Sequence, residues 1–287
     1  TVVTVTVPVA NADLIEELNS YMGNLADIIT TDTDLISRNA GNVEISYATY
    51  ALLLKAQTYI DLSDGVFNPA VRGIVNLHGF PEGPYRLPSN EEITAELEKM
   101  DALALEFDEV NGQYFARGNG LKIDLGAYAK GWIVDEAAQY LREKGVQNFI
   151  VNAGGDLYAS GIKNKGVSWR LGITDPDKEK DYLAAVELRD QALATSGIYE
   201  RFFVAENGQH ISHIFNALTG ETARHYKGMS VIAKDTETAD LFSTVYFLLP
   251  EEKVAELCEI YGTPVFIVRH DSSQVKFCGW EAHETKN

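Results

Sequence analysis

Two Asn-Gly pairs, Asn111-Gly112 and Asn207-Gly208, constrain the fold of this chain most. Asn-Gly between two short alternating segments is a strong local signal for a β-hairpin, because both residues tolerate positive φ. The first pair joins Leu105-Glu106-Phe107 to Tyr114-Phe115-Ala116, and the second predicts another hairpin. Segments with helical spacing lie between and beside these hairpins. Hairpins next to helices favour an α+β fold over a regular βαβ series.

Apolar spacing, capping residues and helix breakers divide the rest of the chain. Ser89, Asn90 and Glu92 mark the start of a helix, and Gly145 marks the end of another. A polar stretch, residues 30–42, separates the first two predicted helices. We expect one continuous domain, 1–287, which can contain two similar halves. Helices are predicted over 12–29, 46–62, 128–144 and 235–249, with one more after Pro250, and strands over 1–7, 121–124, 149–151, 265–268 and 274–277.

The chain is strongly acidic, with a formal net charge of -18 over 287 residues. Such a surface repels nucleic acid and anionic lipid, so neither is expected as a partner. It also makes local help from a metal or from helix N-termini necessary if a phosphate is to bind. No apolar run is long enough for a transmembrane segment.

The chain contains two cysteines, Cys258 and Cys278, and no CxxC pair. A cysteine zinc site is therefore excluded. Spacing alone does not show whether the two residues pair. We favour two buried free thiols.

Asp240 and Thr244 lie four residues apart on a predicted helix and therefore share one face. A carboxylate and a hydroxyl on one face suit magnesium, which prefers hard oxygen ligands. The alternative is helix capping, since Asp235 and Thr236 lie nearby. Taken alone, this pair favours capping.

Three further segments carry residues suited to ligand binding. Asp124 to Gly131 reads as a strand end, a glycine turn and a helix start, which exposes backbone amides to a phosphate, with Lys130 adding a charge. The alternative is a tight turn with a solvated lysine. The paired glycines in Asn152-Ala153-Gly154-Gly155-Asp156 allow close approach of a ligand or simply form a sharp turn. His213, after Ser212, suits a general acid or base or a structural histidine.

Taken together and in order, the segments resemble the ApbE-type FAD:protein FMN transferase family. The matches cover roughly residues 37–244. They are Gly65-Val66-Phe67-Asn68-Pro69 through Phe80, Asp124-Leu125-Gly126-Ala127-Tyr128-Ala129-Lys130-Gly131 with Asp135, Val151 to Asp156, Ala194-Thr195-Ser196-Gly197 with Tyr199-Glu200-Arg201, Ser212-His213-Ile214, Thr219-Gly220, and Ala239-Asp240 with Thr244.

The resemblance implies a duplicated T-fold of antiparallel sheets with packed helices, and it implies a role for each matched residue. It implies magnesium held by Asp240, Thr244 and the backbone carbonyl of Ala127. His213 would lie by the reacting phosphate. The residues expected to contact FAD are Lys130, Val66, Phe67, Asn68, the backbone near Phe215, and Asn39 near the adenine.

The implied activity is magnesium-dependent transfer of FMN from FAD to a threonine hydroxyl of a target protein, with release of AMP. The partners would be FAD and an acceptor protein with a Ser/Thr target. Alternatives are a magnesium-dependent FAD pyrophosphatase and a flavin-binding protein without turnover. The family also implies export, to the periplasm or the outer face of the cell membrane, with a lipid anchor in the full-length protein.

The chain departs from the family pattern in three places: the N-terminal Met-Gly-Thr that helps hold flavin is not evident, no lipid-attachment cysteine is present, and one matched motif is altered. The usual His-Ile-x-Asp-Pro-x-Thr-Gly reads His213-Ile214-Phe215-Asn216-Ala217-Leu218-Thr219-Gly220. Asn216 keeps an acceptor oxygen but loses the charge, so we expect altered metal affinity or activity.

Overall fold

A computed structural model describes residues 2–102, 106–163 and 166–285 and divides the chain into two compact units. The sheet unit comprises Thr1–Asn24, Ala127–Gly197 and His225–Asn287. The helical unit comprises Leu25–Gly126 and Ile198–Arg224. The α+β class is confirmed. The duplicated T-fold stays a prediction, as does the single domain with two similar halves.

The sheet unit is built on a seven-stranded antiparallel sheet in the order β1-β5-β6-β9-β12-β13-β14. Helices α5 and α6 pack on this sheet, and α7 follows α6. A separate hairpin pairs β7 with β8. The bounds are β1 Val3–Thr6, α5 Ala129–Glu143, β5 Phe149–Ala153, β6 Asp156–Ser160, β7 Trp169–Asp175, β8 Lys178–Leu188, β9 Gln191–Gly197, β12 Tyr226–Ala233, α6 Thr236–Phe247, α7 Glu251–Tyr261, β13 Val265–Arg269 and β14 Gln274–Phe277.

The described part of the helical unit combines four α-helical segments and a short 3-10 helix with two small sheets. One sheet has the order β2-β4-β3 and the other pairs β10 with β11. Helix α1 contributes its residues from Leu25 onward to this unit. The bounds are α1 Leu14–Arg38, β2 Ala40–Ile45, α2 Tyr47–Leu62, α3 Arg72–Leu77, α4 Asn90–Ala102, β3 Phe107–Val110, β4 Gln113–Asn119, β10 Phe202–Val204 and β11 His210–Ser212.

Both predicted Asn-Gly hairpins are present. Asn111 and Gly112 have φ of 54° and 79° between β3 and β4, as a primed turn requires. The second turn joins β10 to β11, and Gly208 has φ of 81°. Leu105, which we assigned to the first hairpin, lies outside the described residues. The local residue types thus predicted both turns.

Most predicted helices and strands are also confirmed. Ser46 caps α2 by accepting from the Thr49 amide at 3.2 Å. At α4, Ser89 and Glu92 form the expected capping box, in which the Ser89 amide donates to the Glu92 carboxylate at 2.8 Å and the Glu92 amide donates to the Ser89 hydroxyl at 3.3 Å.

The predicted end of the first helix at residue 29, before the polar stretch 30–42, was wrong, because α1 continues as a helix to Arg38. The hydroxyls of Thr30, Thr33 and Ser37 each donate to a carbonyl one turn earlier, at 2.8, 3.0 and 2.7 Å. The polar side chains therefore form their hydrogen bonds within the helix, and the helix does not end there. Tertiary contacts override the weak local propensity.

The strand predicted over residues 121–124 was also wrong. The segment does not pair with another strand and is held by individual hydrogen bonds instead. The Asp124 amide donates to the Pro69 carbonyl at 2.7 Å, and the Ile123 amide donates to the Ser37 hydroxyl at 3.4 Å. A short apolar run does not by itself distinguish a strand from a buried loop.

The prediction of two free thiols is contradicted, because Cys258 and Cys278 form a disulfide with Cα atoms 6.0 Å apart. Strand β14 runs antiparallel to β13 and returns the chain toward the end of α7, where Cys258 lies. The pairing depends on this return of the chain, which the spacing of 20 residues does not reveal.

Candidate active site

The Lys130 ammonium lies between two buried carboxylates in the sheet unit. It pairs directly with Asp156 and lies 3.7 Å from the Asp240 carboxylate. The side chains of Asp156 and Asp240 are only 2% and 4% exposed, whereas Lys130 is 38% exposed. A buried carboxylate is costly unless it is paired and hydrogen-bonded, so this ammonium is the local counter-charge for both acids.

The Gly154-Gly155 turn positions Asp156 at the start of β6. Both glycines have positive φ, 69° and 108°, and Ala153 pairs with Asp156 across this tight hairpin. Burial raises the pKa of Asp156, while the Lys130 ammonium opposes that rise.

The alternative role of Asp240, capping of α6, is performed by other residues. Asp235 caps α6 by accepting from the Thr238 amide at 2.9 Å. The amides of Thr236 and Glu237 donate to Asp135 on α5, at 2.8 and 2.9 Å. Asp240 therefore lies beyond the cap, in the second turn of α6. Asp135, part of one matched motif, has a structural role here.

The Asp240 carboxylate reaches the first turn of α5. The Gly131 amide donates to it at 2.9 Å. A Cβ on residue 131 would collide with the Thr236 carbonyl, so glycine permits this close approach of the two helices. One of the backbone amides that the sequence suggested for a phosphate thus binds a carboxylate of the protein.

Thr244 lies one turn after Asp240 on α6, as its spacing predicted. Its hydroxyl is 3.3 Å from the Ser196 hydroxyl of β9, which is itself 2.8 Å from Ser243. Neither serine was singled out from the sequence, although Ser196 lies in a matched motif. Ala127 is half-buried in the turn two residues before α5.

The donor set fits magnesium. A carboxylate, a hydroxyl and a backbone carbonyl are hard oxygen donors, and Mg²⁺ commonly takes one or two carboxylates and fills its remaining positions with water or phosphate. Within residues 2–102, 106–163 and 166–285, no three His, Cys, Asp or Glu side chains cluster as a metal site.

His213 lies in the helical unit, directly after β11. Its backbone amide donates to the Arg201 carbonyl at 3.1 Å, and its Nδ1 is 3.2 Å from the same oxygen. A carbonyl only accepts, so this contact places the ring proton on Nδ1 and leaves Nε2 as the basic nitrogen. That tautomer suits a general base.

The helical unit also brings two of the predicted FAD-contacting segments together. The Ala217 amide donates to the Val66 carbonyl at 2.9 Å, a bond that a proline at 217 could not make. Asn216 accepts from the amides of Leu218 and Thr219, at 2.9 and 3.3 Å. These two departures from the family motif therefore build this turn. A cavity of about 440 Å³ beside it is lined by His78, Ile211 and Thr219 among others.

The aromatic side chains near this turn belong to the core. Phe67 and Phe215 are buried, and the Phe215 ring centroid lies 4.5 Å from that of His78. Burial lowers the pKa of His78, so this second histidine is neutral at neutral pH. Asn68 caps a short 3-10 turn by accepting from the Ala70 amide at 2.9 Å.

Asn39 lies at the C-terminal end of α1. Its side-chain amide donates to the Leu35 carbonyl at 2.8 Å. Among residues 2–102, 106–163 and 166–285, Asn39 forms no hydrogen bond to Val66, Asn68 or Phe215. The structure therefore groups Lys130, Asp240 and Thr244 in one unit, and Val66 with the turn after His213 in the other.

Proteins of known sequence and structure resemble this chain over most of its length. The FAD:protein FMN transferase of Vibrio cholerae is 30% identical over 264 residues, which cover 89% of this chain and 77% of that protein. The Escherichia coli protein of the same name is 29% identical, over 75% of this chain and 62% of its own length. The ApbE protein of Thermotoga maritima has a TM-score of 0.87 at 30% identity, covering 98% of this chain and 94% of that one.

By fold and by relatives, the protein falls in the class of α+β flavin transferases. The chain belongs to the ApbE family, whose sequence profile matches residues 1–267.

None of the helices in the described ranges is both long and apolar enough to span a bilayer.

Proposed function

We propose that this protein is a magnesium-dependent FAD:protein FMN transferase that acts on a serine or threonine hydroxyl of a target protein and releases AMP. One observation carries the proposal. Asp240 and Thr244 share a face of α6, and the Gly131 amide and Lys130 ammonium of α5 lie against the same carboxylate. A carboxylate and a hydroxyl of α6 and an ammonium of α5 thus lie in the same unit, and this arrangement supports the proposal.

The reaction is a phosphoryl-type transfer in which one bond forms and one breaks. The acceptor oxygen bonds to the FMN phosphorus, and the bond from that phosphorus to the bridging oxygen breaks, so AMP leaves with the bridging oxygen. His213 Nε2 accepts the proton of the acceptor hydroxyl. When bound, magnesium neutralises phosphate charge and stabilises the leaving AMP.

Separate residues serve the cofactor and the metal. Asp240, Thr244 and the Ala127 carbonyl hold magnesium, and Lys130 binds a phosphate of FAD. In the helical unit, Val66, Phe67, Asn68 and the backbone near Phe215 contact FAD, and Asn39 lies near the adenine. These roles rest on the family resemblance together with the contacts described above.

The test is incubation of the protein with FAD, magnesium and an acceptor protein that bears the target threonine. The expected result is flavin fluorescence on the acceptor band and one AMP per transfer. FMN and AMP in solution with an unlabelled acceptor would identify a hydrolase instead, and intact retained FAD would identify a binding protein.

Asp240→Ala is the matching variant, and we expect it to abolish turnover while the melting temperature shows a folded protein. The control is Glu252→Ala, which removes an exposed carboxylate from α7 in the same unit. Normal activity of Asp240→Ala at saturating magnesium would contradict the metal assignment.

We further propose that the protein works outside the cytoplasm, in the periplasm or at the outer face of the cell membrane. The Cys258–Cys278 disulfide supports this, because structural disulfides persist mainly in oxidising compartments. Thiol titration of protein recovered under denaturing conditions, after export and after cytoplasmic expression, tests it. Free thiols in the exported form would contradict the proposal.

A further inference from the structure

Lys130 has two buried partners, of which the proposed function uses only Asp240 as a metal ligand. The second partner, Asp156, is nearly fully buried and forms the closer ion pair. We propose that Asp156 is a positioning residue: it holds the Lys130 ammonium in the closer of two ion pairs, so that the longer pair with Asp240 leaves that carboxylate available to a divalent cation. This inference rests on the proposed function and deepens its metal site.

The two partners of Lys130 differ in how they are held. Asp156 is fixed at the first residue of β6, behind a two-glycine turn, and its side chain is only 2% exposed. Lys130 is a long side chain in the first turn of α5 and is 38% exposed. The lysine is therefore the adjustable member, and Asp156 is the rigid anchor that selects its position.

The consequence of losing that anchor follows from distance and charge. The ammonium already forms an ion pair with Asp240 at 3.7 Å, the longer of its two ion pairs, and it can move closer. Of the two buried carboxylates beside the Lys130 ammonium, only Asp240 would remain without Asp156. An ammonium bound to Asp240 neutralises the charge that attracts a cation and occupies its approach. Lys130 would then compete with the metal.

The experiment measures Mn²⁺ binding to the FAD-free protein by electron paramagnetic resonance of the free ion. Asp156→Asn keeps the shape of the side chain but removes the charge. We expect it to weaken Mn²⁺ binding about 10- to 100-fold, the range seen when a residue that orients a metal ligand is lost. Lys130→Met removes the competitor, so Asp156→Asn combined with Lys130→Met should bind within about threefold of Lys130→Met alone.

A purely structural role for Asp156 predicts a different pattern. The double variant would then bind as poorly as Asp156→Asn, or worse, and that result would overturn the inference. The matched control is Asp177→Asn, which removes an exposed carboxylate that pairs with Lys227 in the same unit. Its Mn²⁺ affinity should match that of the unmodified protein.

Asp240→Asn separates failure of the inference from failure of the proposed function. If Asp240→Asn loses Mn²⁺ binding and Asp156→Asn keeps it, only the positioning role is wrong. If Asp240→Asn binds Mn²⁺ normally, or the unmodified protein binds none, the metal assignment fails and the inference fails with it.

Discussion

Asp135 and Asp240 lie on neighbouring helices of the sheet unit and bind each other's helix. Asp135 of α5 accepts the first two amides of α6, and Asp240 of α6 accepts the Gly131 amide of α5. The first contact satisfies amides that a helix start leaves without partners. The second fixes a buried carboxylate beside Lys130. The same residue type thus serves stability in one position and, in the proposed function, metal binding in the other.

Asp135 should make stability depend on pH. Burial raises the pKa of this carboxyl from its ordinary value of 3.8 to about 6. The folded state therefore holds a proton that the unfolded state loses, and stability from this group falls as pH rises from about 4 to about 6. The loss amounts to about 3 kcal/mol at neutral pH.

Urea unfolding of the unmodified protein and of Asp135→Asn, from pH 4 to pH 8, measures this effect. We expect the unmodified protein to lose stability relative to the variant as pH rises through that interval, because the other carboxylates cancel in the difference. A constant difference between the two proteins across this pH range would show that Asp135 titrates normally.

His213 is predicted to serve chemistry more than binding. His213→Ala should lower the rate of transfer about 10²- to 10⁴-fold, the usual contribution of a general base, with little change in FAD affinity. Single-turnover transfer and flavin fluorescence titration measure the two quantities. The control is His210→Ala, an exposed histidine on β11 that stacks on Phe202. Equal losses of rate and affinity in His213→Ala would make His213 a binding residue only.

At the scale of elements, α1 and α2 show how a polar segment becomes part of the core. Asp32 is 8% exposed and accepts the Ser46 amide and hydroxyl and the Thr49 hydroxyl, at 2.9, 2.7 and 2.7 Å. The start of α2 is therefore held by a carboxylate on α1. This long-range contact explains why the polar residues after Ile29 form a helix.

Asp32→Ala should destabilise the protein by about 2–4 kcal/mol, because each lost bond to a charged acceptor costs about 1.5–3 kcal/mol and the three losses do not add fully. The Thr49 hydroxyl, which is fully buried, would lose this acceptor. Urea unfolding measures the change, with the exposed Asp27→Ala on α1 as control. A change below about 0.5 kcal/mol, the usual limit for a surface substitution, would show that Asp32 does not hold α2.

At the scale of the whole molecule, the net charge of -18 opposes binding of an anionic dinucleotide. Salt screens this repulsion, since the Debye length falls from about 10 Å at 0.1 M to about 3 Å at 1 M ionic strength. A divalent cation instead acts locally, at the carboxylate that it binds. The two effects should respond to salt in opposite directions.

FAD affinity tests this on His213→Ala, which should leave FAD intact. With EDTA we expect weak binding that strengthens with NaCl. With magnesium we expect binding at least about tenfold tighter, or about 1.4 kcal/mol, that weakens with NaCl. Riboflavin, which lacks phosphates, is the control ligand and should not respond to magnesium. FAD binding that is the same with EDTA and with magnesium would contradict the metal's role in neutralising phosphate.

The sequence by itself determined the turns, the helix caps and most helices and strands. The Asn111-Gly112 turn and the Ser89–Glu92 capping box form between residues at most three positions apart, so local residue types decide them. The spacing of Asp240 and Thr244 likewise places both on one helix face, and the ordered motifs identified the family.

Only the tertiary structure decided which of these residues meet. Lys130 pairs with Asp156 across 26 positions, and Gly131 donates to Asp240 across 109. The disulfide and the extension of α1 depend in the same way on strands and helices that return the chain to a distant segment. Such contacts depend on how elements pack, and local propensity carries no information about that packing.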